Sequence, residues 1–195
     1  MRRTQIAWAD AHATAAIRPS SEADLAALSD FFAGLSERTR YLRFFGPVTP
    51  GPALLRSLAG CADTADAVIA VRGGLIVGHA MAVDRIDPPG TRITDIGVVV
   101  ADDWQGRGLG SALMRSVITG ARTRGVTLLE MDVLGHNRQV LNMITSHWPA
   151  ARIQQSRDCI SFRIHLPGAS SSPAPSPGDR SSPAWPQDRY LQQAR

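Results

Sequence analysis

Residues 105–114 read QGRGLGSALM, and the glycines at 106, 108 and 110 decide how the rest of the chain is to be read. Glycine loses more freedom on folding than any other residue, so a cluster of it marks a backbone path or close approach that side chains forbid. The segment after the cluster has a helical pattern. Leu109, Leu113, Val117 and Ala121 recur four apart with Ile118 beside them, Arg115, Arg122 and Arg124 fall elsewhere, and Gly125 supplies the stop. The glycines therefore open a helix. The first N–H groups of a helix lack internal acceptors and lie at the positive end of its dipole, so main chain alone can hold a phosphate there.

Two familiar phosphate loops do not fit. A P-loop needs a lysine after its last glycine, and this chain contains no lysine. A dinucleotide fingerprint needs its glycines directly after the opening strand of a βαβ unit. Here DDWQ separates the loop from the valine-rich strand ending at Val100, and the strands before it form a meander. Glu130 and Asp132, spaced suitably for a ribose, are the one feature in favour of that reading.

The 195 residues suit one domain with trimmings, and 44% hydrophobic against 19% charged residues reads as a soluble globular chain. No apolar run reaches the roughly 20 residues that span a bilayer. The N-terminal MRRTQIAWADAHATAAIRP carries two arginines but lacks the apolar stretch of a signal peptide, so the expected compartment is the cytoplasm, with no membrane partner. Cys61 and Cys159 are too few for a disulfide framework, and without a CxxC pair no metal site is expected. All 21 cationic residues are arginine, which fits a GC-rich coding bias and also suits bidentate contact with phosphate. The net charge of +4 is spread along the chain, so no nucleic-acid partner is expected. From Pro167 onward proline and serine dominate. Residues 167–195 are expected to be a disordered tail, with Trp185, Tyr190 and Leu191 its only adhesive residues, leaving 15–166 as the folded domain.

Within that domain the pattern alternates. AAIRP predicts a short strand, followed by a helix from Ser21 to Leu35, a second helix from Ser36 through SERTRYLRFF, and a third ending at Gly60. DAVIAVRG and LIVGHAMAVD read as strands joined at Gly73-Gly74, and TRITDIGVVV comes after the DPPG turn. After the glycine loop and its helix come the strand TLLEMDV, a helix opening at Asn137, and a terminal hairpin of AARIQQ and CISFRIHL. The fold class is α+β.

The stretch DIGVVVADDWQGRGLGSALM resembles motif A of the Gcn5-related N-acetyltransferases (GNAT), [QR]-x-x-G-x-[GA] after an apolar strand, with Gln105, Gly108 and Gly110 at its fixed positions. The element order over residues 15–166 resembles that family too. The resemblance implies a mixed, mostly antiparallel sheet of about seven strands, splayed at the cofactor site and flanked by about four helices. It also implies acetyl-CoA as acyl donor and an amine as acceptor, and it leaves room for a homodimer. The diphosphate would lie on Gly106, Arg107, Gly108, Leu109 and Gly110, with Gln105 and Ser111 adjoining, and the pantetheine arm would pair with the backbone of Val98, Val99 and Val100. Arg107 would face either the 3′-phosphate or solvent. Asn137 matches the family's asparagine at the next helix start; its two readings are cofactor contact and helix N-cap.

Amine acetylation requires an ammonium to lose a proton. Many relatives carry a glutamate for this on the strand before the loop, and Asp95 stands at that position. Being shorter, it would act through a water; its other reading is an ion pair with Arg92 or Arg85. Gly97, on the same face by strand alternation, would leave room above the thioester, and a backbone N–H of Gly97 to Val99 would meet the oxyanion. The tyrosine that protonates the leaving thiolate in many relatives is replaced by Ile144. His136 beside Asn137 reads as a surface residue, His79 as facing either core or substrate. LSERTRYLRFFGPV is similar to a segment of bacterial protein lysine acetyltransferases of the Pat type, which makes protein lysine the leading acceptor, ahead of a small amine or a non-catalytic acyl-CoA sensor. In that segment Arg38, Arg40 and Arg43 read as channel residues or a solvated face, and Tyr41, Leu42, Phe44 and Phe45 as core.

Overall fold

Runs rich in β-branched and small apolar residues, with left-handed glycines at the turns, build one open sheet of seven strands, ordered β1-β2-β3-β4-β5-β7-β6. The computed structural model describes residues 15–61, 65–87 and 90–166. Pro88, Pro89 and the predicted tail lie outside them. The strands are β1 (Ala16–Pro19), β2 (Ala65–Arg72), β3 (Leu75–Asp87), β4 (Thr91–Val100), β5 (Leu128–Leu134), β6 (Arg152–Ser156) and β7 (Cys159–His165). β2 turns into β3 through Gly73 and Gly74, at φ +57° and +82°, as the Gly-Gly pair predicts.

Every pairing is antiparallel except β4 with β5. That parallel pair is matched only at Thr94–Leu129 and Asp95–Glu130. Past this point β4 stays on β3 as far as Val100, and β5 stays on β7 as far as Leu134. The two central strands thus open a wedge beginning at Ile96, the splay the motif implied.

Five α-helices flank the sheet, the five that the sequence pattern lays out, where the resemblance implies about four: α1 (Leu25–Gly34), α2 (Glu37–Phe44), α3 (Pro52–Leu58), α4 (Leu109–Thr123) and α5 (Arg138–His147). α3 is the short third helix the pattern predicts, ending at Leu58 just before Gly60, and its Pro52 pre-sets the first turn. The predicted helix from Ser21 to Leu35 is shorter. Residues 22–24 wind as a tight 3-10 turn, where Asp24 accepts the Ser21 N–H and both terminal nitrogens of Arg18. On one face of the sheet, Leu28, Phe32 and Leu58 pack on Ile69 and Met81; on the other, Leu113, Val117 and Ile144 pack on Leu129 and Phe162.

α2 corrects an expectation. Its inward face is Thr39, Arg43 and Phe44, so Arg43 is 5% exposed whereas Tyr41, expected in the core, is 43% exposed. The helix period explains it: with Ser36 as N-cap, positions 39 and 43 lie one turn apart and Tyr41 points to the opposite side. Phe45 ends α2 in the left-handed region at φ +59°, its ring buried with Leu134 and Cys159. That packing offsets a backbone cost of about 1–2 kcal/mol and holds α2 across the mouth of the wedge.

Candidate active site

The loop between β4 and α4 is fastened from both sides. The Gln105 amide nitrogen donates to the Val100 carbonyl at 3.1 Å and to Thr39 Oγ1 at 3.2 Å. Asp102 accepts the Ser36 N–H at 3.0 Å and the hydroxyls of Ser36 and Thr39, each at 2.7 Å. Asp102, which no sequence pattern singles out, therefore ties α2 to the glycine loop. Burial raises its pKa, but the Ser36 N–H and the two hydroxyls outweigh this and hold it below the ordinary aspartate value. A carboxylate with a depressed folded pKa stabilises the fold above its unfolded pKa of about 3.9 and loses that contribution as pH falls through the folded value. Thermal midpoints of the parent and Asp102→Asn proteins should therefore differ by a constant amount near neutral pH and converge only in acid.

Gly106 and Gly108 sit at φ +71° and +80°, and nothing lies within 4 Å of where a Cβ would stand on either. Gly108 is the N-cap of α4, so the next amides along have no acceptor within the helix. The space above them is a cleft of about 260 Å³. Val98, Val99, Val100, Gln105, Gly106, Gly108, Gly110, Ser111 and Asn137 all line it, together with Thr39, Leu42 and Arg43. Arg107 and Leu109, expected to offer backbone N–H groups to the diphosphate, are not among the cleft's lining residues. Leu109 puts its side chain into the core, and Arg107 is exposed with its guanidinium carbon 5.3 Å from the centre of the Trp104 ring. Of Asn137's two readings the cap is present, its side chain accepting the Val140 N–H at 3.4 Å, and the residue also lines the cleft.

A smaller cavity of about 50 Å³ lies deeper in the wedge, bounded by Gly97 on β4 and Asp132 on β5. It shares Leu42, Arg43, Val98, Asn137 and Val140 with the cleft, so the two adjoin, and Ile144 closes it. A Cβ on Gly97 would stand 2.5 Å from a terminal nitrogen of Arg43, so the glycine admits the guanidinium to this junction. Asp132 accepts a hydrogen bond from Ser161 at 2.5 Å.

Asp95 lines neither space. It lies two residues before Gly97, and Arg85 Nε donates to its Oδ2 at 3.0 Å, so of its two readings the ion pair is present. Arg92 turns instead to the Arg124 carbonyl. Arg85 also reaches Asp87 at 2.5 Å and Glu130 at 3.1 Å, and Arg163 adds a second cation to Glu130. Burial lowers the Arg85 pKa, yet the charges of Asp95, Glu130 and Asp87 together hold it above the ordinary arginine value.

His79 belongs to the core. It is fully buried on β3, with Nε2 2.7 Å from the Leu58 carbonyl and its ring edge-on to Phe32. Burial and then the Arg43 charge push its pKa down to about 3, against the opposing Leu58 hydrogen bond. His136 is exposed, its ring 6.4 Å from that of Tyr41. Among the described residues no helix is long and apolar enough to cross a membrane, and no group of three or more His, Cys, Asp or Glu could hold a metal ion.

The sequence does contain a pointer to Asp132, two residues on from Glu130 along one strand face. No sequence signal places Arg43 at the junction, because that depends on the wedge.

Comparison with known proteins agrees with this geometry. The family model described as "Acetyltransferase (GNAT) family" matches residues 36–147. Acetyltransferase Pat of Mycolicibacterium smegmatis is 33% identical over 118 residues, which are 58% of this chain and 35% of that protein. The chain thus spans about a third of that relative's length. The GNAT domain of S. lividans PAT superposes with a TM-score of 0.70 at 23% identity, covering 78% of this chain and 90% of that one. The protein yncA of Salmonella typhimurium, solved with its cofactor acetyl-CoA, superposes at 0.64 with 17% identity, covering 84% and 98%.

Proposed function

The chain belongs to the acetyltransferase (GNAT) family, and from that premise we propose that it transfers an acetyl group from acetyl-CoA to a primary amine, with protein lysine as the leading acceptor. One observation carries the donor half. Left-handed glycines open toward the same cleft as the stretch of β4 that has left β5, so a diphosphate and a peptide-like arm would meet suitable main chain together. The residues fit that group. Gly106, Gly108 and Gly110 let an anion approach the amides at the α4 start, Ser111 adjoins it, and Val98 to Val100 offer strand backbone.

Acetyl-CoA supplies an activated acyl carbon, and the chain's residues bring an uncharged amine to it. Val98 and Gly97 place the acyl end at the junction of cleft and cavity. Deprotonation of the ammonium falls to Asp95 through a water, from its place on the Gly97 face. Asp132 is a second candidate on a specific observation: it forms part of the cavity wall. Support for a lysine acceptor is the similarity of SERTRYLRFF to the Pat-type segment, together with the position of α2, whose Leu42 and Arg43 wall the cavity. A small amine is the second reading, favoured by the carboxylate of Asp132.

Residues 15–166 are the proposed catalytic domain and the cytoplasm the proposed compartment, in keeping with a chain of two cysteines, too few for a disulfide framework. The test is CoA release from acetyl-CoA with a lysine peptide, a polyamine, free amino acids and an aminoglycoside. Turnover with the peptide is expected. Turnover with small amines alone replaces the acceptor, and no turnover with CoA still bound favours a sensor.

A further inference from the structure

A buried cation stands where the two spaces meet. Arg43 is 5% exposed, and its guanidinium lies against the bare Cα of Gly97 and 5.2 Å from the Phe44 ring. Among the described residues lining the cleft and the deeper cavity, it is the only cation. The cavity wall contains no serine, cysteine, tyrosine or histidine; besides Arg43 its polar side chains are Asp132 and Asn137. If the acyl donor enters by the cleft and the amine is acylated at the cavity, as the proposed acetyl transfer has it, the C–S bond breaks beside Arg43. We propose that Arg43 is a catalytic residue whose guanidinium receives the CoA thiolate as it leaves.

The chemistry balances without a proton donor. The uncharged amine forms the C–N bond, the C–S bond breaks, and its electron pair departs on sulfur. The nitrogen's remaining extra proton passes to a carboxylate or to solvent, and water protonates the thiolate after release. A guanidinium has five N–H donors and stays charged at any working pH, so it stabilises the anion by charge and hydrogen bonding while keeping other partners. Ile144, where the resemblance implied an acidic tyrosine, is then no gap in the site, because the leaving group is met from α2 rather than from α5.

Titration of bound CoA tests this independently of the acceptor. The thiolate's ultraviolet absorbance is followed against pH on the parent protein, Arg43→Met and Gly97→Ala, with desulfo-CoA affinity measured in parallel. A free thiol titrates at about 8.5, and an opposite charge within reach lowers that by about 1–3 units. The parent should show such a lowering and Arg43→Met should lose it, with desulfo-CoA affinity changed less than about twofold. Gly97→Ala keeps the buried arginine but pushes its guanidinium off the junction, so it should lose the lowering even if Arg43→Met does not fold. CoA bound to the parent with an unshifted thiol, or a shift retained in Gly97→Ala or in folded Arg43→Met, overturns the role of Arg43 alone. Absence of CoA affinity in the parent overturns the acetyl-CoA reading beneath it.

Discussion

Gly108→Val is expected to lower the affinity for CoA by about 100-fold or more, while the matched change Gly125→Val leaves it within about twofold. The two glycines share φ +80°, and both have open space where a Cβ would stand. They sit at opposite ends of α4, Gly108 as its N-cap and Gly125 just beyond its end. Each substitution forces a branched residue into the left-handed region, so each should destabilise the fold by at least about 1–2 kcal/mol. Thermal midpoints should fall together. Only Gly108 lines the cleft, where two valine methyl groups would stand between the α4 amides and a phosphate. Charge-assisted hydrogen bonds are worth about 1.5–3 kcal/mol each. Losing two of them exceeds the roughly 2.8 kcal/mol that corresponds to 100-fold in affinity. Calorimetric titration of both variants checks this. Equal CoA affinity in the two would remove the phosphate from the start of α4.

The glycine loop and most element types are legible in the sequence because each rests on local pattern: a four-residue apolar repeat in α4, β-rich apolar runs in β3 and β4, and Gly73-Gly74 at a hairpin. The cleft wall is legible for the same reason. Val98 to Val100 and the glycines through Gly110 are contiguous with the motif and line one space. Features that depend on pairs distant in the chain are not legible. The contact of Asp102 with Ser36 and Thr39 spans more than sixty residues, and neither partner has a pattern that names the other. In sequence Arg43 shares with Arg38 and Arg40 the same two readings, channel residue or solvated face, and nothing singles it out from them. Its burial depends on the phase of α2, set by the Ser36 cap and the left-handed Phe45, and on the empty side of Gly97 on a strand that comes much later. Asp95 has two sequence readings, a water-assisted base and an ion pair. The structure holds the ion pair, and a carboxylate paired with an arginine can still accept a proton through a water.

Asp95→Asn and Asp132→Asn separate the two carboxylates, and the first is expected to lower kcat/KM near neutral pH by about 10²–10⁴-fold, the usual contribution of a general base. Neither change should disturb the fold greatly. Arg85 keeps Asp87 and Glu130 when Asp95 loses its charge, and an asparagine at 132 retains an acceptor for Ser161. The pH profile carries the diagnosis. A lysine amine has a pKa of about 10.4, so without an enzymic base the reactive uncharged fraction rises about tenfold per pH unit below that value. The deficit of a true base variant must therefore shrink as pH rises. A variant that merely misplaces the amine or loosens the ion cluster stays impaired by a constant factor. Asp95→Asn should show the shrinking deficit and Asp132→Asn a smaller, constant one expressed mainly in KM, because a cavity-wall carboxylate attracts the ammonium before it is deprotonated. The reverse pattern would transfer the base to β5. A constant deficit in both would leave deprotonation to solvent, and Arg85 would then be holding Asp95 for the sheet rather than for the reaction.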